Sequence, residues 1–110
     1  MSKAEFWQRG ETLDYKNAGS DIIEANSVLV IGKRIGIAGM TINPNEVGSV
    51  HVTGIFKFPK ATGEITLGAE VYWDAAAGKI TTTASSNVAA GFAVEAAGAD
   101  ATEVVVKINA

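Results

Sequence analysis

Hydrophobic and polar positions alternate with a period of two over several short stretches, the pattern of strands with one buried face. Residues 49–58 carry it most clearly. Val50, Val52, Phe56 and Phe58 point one way, Ser49, His51, Thr53 and Lys57 the other, with Gly54 interrupting and Ile55 as the exception. Pro59 ends the run, because proline has no N–H to give a ladder. Residues 102–108 alternate again, with Thr102, Val104, Val106 and Ile108 together. Residues 88–94 put Val88, Ala90, Phe92 and Val94 on one face and the small Ala89, Gly91 and Ala93 on the other, which predicts another surface approaching closely there. Val28, Leu29, Val30 and Ile31 form an apolar run before Gly32-Lys33. Glycine at the first central position suits a type II′ hairpin turn, since it tolerates positive φ. The return strand, residues 34–40, alternates only partly, and Asn43-Pro44-Asn45-Glu46 is a turn signal.

A fainter pattern spans the chain. Ile22, Ala25, Val28 and Val30 recur 43 positions later as Ile65, Gly68, Val71 and Trp73. Ile35 and Ile37 recur 45 positions later as Ile80 and Thr82, which makes the second turn two residues longer. The echo predicts two related β-hairpin units, neither large enough to close a core alone. It also matches Trp73 to Val30, making Trp73 a core candidate and turning its neighbour Tyr72 to the opposite side. Residues 84–90 and 96–101 are Ala-rich, but no helix is predicted in them. The expectation is an all-β chain, a small barrel or sandwich of about seven or eight short strands. It comprises a single β domain over residues 20–110, preceded by an extended N-terminal arm over residues 1–19.

The arm differs from the rest. Phe6, Trp7, Leu13 and Tyr15 are separated by charged and polar residues, and Asn17-Ala18-Gly19 makes a break. Residues 12–15 suit a strand with Leu13 and Tyr15 on one face. The adjacent Phe6 and Trp7 have two readings: they pack on the chain's own core, or they belong to an arm that docks on a neighbour.

Composition narrows the function. Only 7% of residues are aromatic although 47% are hydrophobic, so the apolar content is mostly Ala, Val and Ile, and 12 glycines against 2 prolines fit short strands and tight turns. Without cysteine there is no disulfide and no thiolate metal site. A net charge of −3 with scattered basic residues lacks the basic face that duplex binding needs, so no nucleic-acid partner is expected. No apolar run approaches the ~18 residues of a membrane span, and the polar first residues lack a signal-peptide core. The reading is a soluble protein, cytoplasmic when made.

No active site can be assembled. Gly32-Lys33 and Gly78-Lys79 are not followed by Ser or Thr and lack the upstream glycine of a phosphate loop. His51 is the only histidine, without other nitrogen or sulfur ligands to complete a metal site. Asp74 opens a turn, where a carboxylate bonds backbone amides. No cofactor, metal or catalytic residue is therefore expected.

Four phrases carry a family resemblance: Gly10-Glu11-Thr12-Leu13-Asp14-Tyr15-Lys16-Asn17-Ala18-Gly19, Gly54-Ile55-Phe56-Lys57-Phe58-Pro59-Lys60-Ala61, Leu67-Gly68-Ala69-Glu70-Val71-Tyr72-Trp73-Asp74 and Gly91-Phe92-Ala93. In this order the chain resembles the capsid cement, or head decoration, proteins of tailed phages and prophages. Some members have carried a recombinase label, which the missing phosphate loop and the acidic balance oppose here. The resemblance implies a β-rich, non-catalytic protein, a homotrimer on the outside of the expanded head. Its partner there is the major capsid protein, and the host cytoplasm is its location during assembly. The residues expected to bind the capsid are Phe6, Trp7, Arg9, Leu13 and Tyr15, all in the arm. The other reading is a small β-barrel module for carbohydrate or peptide, with Tyr72 as its stacking platform.

Overall fold

The computed structural model describes residues 3–110. Nine strands run through them: β1 (Thr12–Lys16), β2 (Val28–Ile31), β3 (Arg34–Ala38), β4 (Val47–His51), β5 (Ile55–Pro59), β6 (Glu70–Asp74), β7 (Lys79–Thr81), β8 (Val88–Ala93) and β9 (Glu103–Ile108). They form two antiparallel sheets, ordered β1-β4-β3-β2 and β5-β9-β8-β6-β7. The fold is all-β and sandwich-like, not a closed barrel. The second sheet curls until β7 meets the end of β5 through one parallel bridge, Lys60↔Ile80, without a continuous ladder there.

The ninth strand comes from residues 49–58, which alternate like one strand and are two. Gly54, at φ 122, breaks the chain between β4 and β5 and sends it from one sheet to the other. Side-chain period continues across the break, so alternation alone does not register it.

The internal echo is real but maps differently. Take away β7, and the second sheet repeats the first: β5-β9-β8-β6 stands for β1-β4-β3-β2, all antiparallel. Ile35 of β3 thus corresponds to a residue of β8, not to Ile80, which lies in the added strand β7. The β6–β7 hairpin does have the longer turn, with Asp74↔Lys79 closing it where Ile31↔Arg34 closes the first. Nor does Val30 share the burial of Trp73: it is 43% exposed, while Trp73 is in the core at 9%. Val30 lies on an edge strand, whereas β6 is flanked on both sides.

Each half is punctuated by the same device, a bridge residue followed by a four-residue turn and a strand. Ile23 pairs with Ile42, and Ile65 with Ala97. Ser27, Glu46, Ala69 and Ala101 then donate their N–H to Glu24, Asn43, Thr66 and Gly98. The third turn residue is left-handed in three of them: Asn26 (φ 70), Asn45 (φ 69) and Gly68 (φ 85). The true counterpart of Ile65 is therefore Ile23, one residue after the Ile22 that the apolar pattern selects; Ile22 is exposed at 57%. Because Asn tolerates this backbone at two of the positions and nothing crowds Gly68, Gly68→Asn should change stability by less than about 0.5 kcal/mol. Gly68→Val should cost about 1–3 kcal/mol through strain at positive φ. Urea denaturation of the two variants checks the contrast.

The core belongs to both sheets. Ile35 and Ile37 of β3 join Phe58, Ile65, Val71, Trp73, Ile80, Val104, Val106 and Ile108 in one buried cluster. Phe58 and Trp73 pack with ring centroids 6.0 Å apart. The alternation expected for residues 88–94 fails at its centre. The register jumps from Val71↔Gly91 to Tyr72↔Ala89, a bulge that lets Ala90 and Ala93 both be fully buried. No close surface covers the small-residue face as a whole, since Ala89 is exposed; Gly91 is tight for another reason, a positive φ that would aim a Cβ at the backbone of its ladder partner β9.

Candidate binding surface

Of the residues assigned to the arm, Thr12–Lys16 forms β1, paired with β4 from Thr12↔His51 to Lys16↔Val47. Asn17 follows and is buried; its side-chain amide donates to the carbonyls of Asp21 (2.8 Å) and Ile42 (3.0 Å). Lys60 holds the matching place after β5, equally buried, with Nζ donating to the carbonyl of Ala61 at 2.9 Å. These two polar anchors tie the first strand of each half to its turns.

Before β1 the chain is different. Residues 3–10 belong to no helix or strand, Gly10 turns to φ 81, and the segment takes part in no backbone hydrogen bond with the other described residues. The Gln8 side chain alone reaches back, to the carbonyl of Thr12 at 3.2 Å. Phe6 and Trp7 are 86% and 89% exposed, so they do not pack on the chain's own core. Arg9 is exposed beside them.

Leu13 and Tyr15 lie opposite Val50 and Gly48 and share their face of the first sheet. That face turns away from the common core, and Gly36 and Gly48 form its floor. A Cβ on Gly36 would meet Val50 Cγ1 at 2.5 Å and Ile31 Cδ1 at 2.9 Å, and one on Gly48 would meet Ile42 Cγ1 at 2.5 Å. Apolar side chains thus cover the glycines, and Val50 and Ile42 are themselves buried, which leaves Leu13 as the exposed large apolar residue of this face. At its end Leu13, Ile31, Val52, Arg34 and Asn109 line an open hollow of about 370 Å³. The five arm residues therefore divide: Phe6, Trp7 and Arg9 project from the segment before β1, while Leu13 and Tyr15 are fixed on the sheet it leaves. The contributions of Ile31 and Val52 were not legible as site residues; the only signal was the unbroken apolar run of β2, too apolar for a strand with a solvated face.

The remaining features offer little chemistry. Asp74 Oδ1 accepts the amides of Ala76 and Ala77, as its place in the turn predicts. Tyr72 is half-buried, its hydroxyl 3.4 Å from Glu70 Oε2, in a groove whose other lining residues include no second aromatic. His51 packs on Phe56 with ring centroids 5.7 Å apart. Among the described residues, no group of three or more His, Cys, Asp or Glu could hold a metal ion. The one ion pair among them, Lys57–Glu103 at 3.8 Å, is exposed on both sides and adds little.

The structure is thus a two-sheet all-β scaffold that carries an exposed aromatic pair on its N-terminal segment. Comparison with known families narrows this: a family model described as phage cement protein matches residues 7–108, and the chain belongs to that family. The family is structural, and membership makes the role one of cement on a phage capsid. No curated protein and no solved structure matches the chain.

Proposed function

We propose that this protein decorates the outer surface of the expanded phage head as a homotrimer, after assembly in the host cytoplasm, and stabilises contacts between capsomers. Phe6, Trp7, Arg9, Leu13 and Tyr15 form the surface that meets the major capsid protein. The observation that carries this reading is the pair of aromatics, both more than 85% exposed on a segment with no backbone bonds to its own fold. Such a segment contributes nothing to the stability of the isolated chain and becomes useful only where a partner orders it. Burying two aromatic side chains of ~150–250 Å² each at ~25 cal/mol per Å² contributes several kcal/mol per arm, of which ordering costs remove part.

The test combines Phe6→Ser with Trp7→Ser. Both side chains are free in the folded chain, so its far-UV circular dichroism should not change. Binding to empty expanded heads, measured by co-sedimentation, should weaken by at least about tenfold, equivalent to about 1.4 kcal/mol. Unchanged head binding would remove the arm from the contact.

A further inference from the structure

The two sheets agree strand for strand except at one place. In the second, β7 covers the outer edge of β6 through Tyr72↔Thr81, Trp73↔Ile80 and Asp74↔Lys79. In the first, β2 holds the place of β6, and among the described residues no strand lies beyond it. Ile31 and Arg34 close a two-residue hairpin and so form a hydrogen-bonded pair; alternation then turns the N–H and C=O of Val28 and Val30 toward the open edge.

Open edges invite pairing, and proteins guard them with charges, proline or brevity. The other three edges here are guarded. β1 carries Asp14 and Lys16, β5 carries Lys57 and Pro59, and β7 has three residues, one of them Lys79. β2 reads Val-Leu-Val-Ile and carries neither charge nor proline.

The same chain holds a segment able to fill the gap, since residues 3–10 belong to no strand or helix and make no backbone bond to the other described residues. We propose that the arm of one copy lies along β2 of a second copy, as the fifth strand of its first sheet, in the place that β7 takes in the second sheet. A chain's own arm does not reach. β1 and β2 are the opposite edges of the sheet, so the slot beyond β2 is four strand spacings, about 19 Å, from β1. An extended chain advances about 3.4 Å per residue, so the crossing would consume residues 5–10 and take Phe6 and Trp7 out of the ladder. In a ladder with a second copy those neighbours point to opposite faces. One packs on the side of Val28 and Val30, and the other lies on the outer face beside Leu29 and Ile31, where the shell meets it. A head-to-tail exchange of this kind makes a ring when its rotation closes, after three copies for a trimer.

The inference rests on the assembling role proposed above, and two variants separate it from the arm's role toward the shell. Deletion of residues 2–10 leaves β2 intact without an arm; Val30→Pro leaves the arm and removes an outward N–H, a change an edge strand tolerates. By light scattering the full chain should be an oligomer, and each variant alone should fall to the monomer mass, about threefold lower for a trimer. Mixed together, the two should associate, arm of one on edge of the other. Amide exchange at Val28 and Val30 should be at least about tenfold slower in the full chain than in the arm-deleted one, a readout that stands even if Val30→Pro does not fold. A monomeric full chain, an arm-deleted chain of unchanged mass, or a mixture that stays monomeric overturns the exchange. An arm-deleted monomer that binds heads as before supports the exchange and ends the arm's role toward the shell; an arm-deleted oligomer that no longer binds heads does the reverse.

Discussion

Gly91→Ala should abolish the native fold. The Cβ it adds would sit 1.9 Å from the carbonyl oxygen of Lys107 and 3.1 Å from Cα of Ile108, both main-chain atoms of β9. No rotamer change relieves a clash with backbone, and β9 is held between β5 and β8, so it moves only if the ladders part. Gly91 also has φ 138, a conformation that side chains rarely adopt. The expected loss exceeds about 4 kcal/mol, a large share of the 5–15 kcal/mol that holds a domain of this size.

Gly63→Ala separates strain from collision. Gly63 has a similar φ of 116 but nothing within 4 Å of the added Cβ. It should cost only the conformational strain, about 1–3 kcal/mol, and remain folded. Far-UV circular dichroism with thermal melts reads both. If Gly91→Ala melts close to Gly63→Ala, β9 yields far more easily than the packing implies.

Gly91 also shows which parts of the fold the sequence makes legible. Small residues on one face of β8 suggest a surface packed over it, yet Ala89 is exposed and Gly91 meets only its ladder partner β9. The register there depends on the bulge beside Gly91, and a bulge leaves no mark in the period of the side chains. The same limit explains residues 49–58, where Gly54 turns the chain into another sheet while the alternation runs on. Strand identity is local chemistry, and strand partnership is not. Ile35 resembles Ile80 because both are buried isoleucines after hairpin glycines; only the sheet order reveals that β8 is the counterpart of β3. The arm is legible only in part, for Thr12–Lys16 of it is strand β1 and the sequence leaves Phe6 and Trp7 open between the chain's own core and a neighbour. Two aromatics in a polar terminus have no apolar period to join, and the structure leaves Phe6 and Trp7 exposed. The open edge of β2 has no mark in the sequence, because it is defined by the absence of a counterpart to β7.

Asn109→Gly should loosen the joint between the sheets. Asn109 follows β9 of the second sheet and reaches into the first, where its Nδ2 donates to the carbonyls of Ile35 and Val52, each at 2.8 Å. Its Oδ1 accepts the Ile35 N–H at 3.3 Å, and its own N–H donates to Ala90. The reason lies in the register of β3. Its ladder with β4 runs through Ile37↔His51 and Ala38↔Val50, and β4 ends at His51, so Ile35 has no strand residue on that side. The carboxamide, with a donor and an acceptor side by side, takes the place of a missing peptide group. Truncation leaves an N–H and two carbonyls without partners, at about 2–4 kcal/mol in total. Glycine is the informative replacement, because Asn109 stands at φ 57 and glycine adopts that backbone freely. Asn109→Ala should cost about 1 kcal/mol more, from φ alone. Asn109→Asp should do no better than glycine, since a carboxylate has no donor for the carbonyls of Ile35 and Val52. Chemical denaturation measures the totals, and amide exchange locates them: opening should begin in β3 and β4, while β8 and β9 keep their protection. If Asn109→Gly stays within about 0.5 kcal/mol of the natural chain, the sheets are held by the apolar cluster alone and the carboxamide bridge is incidental.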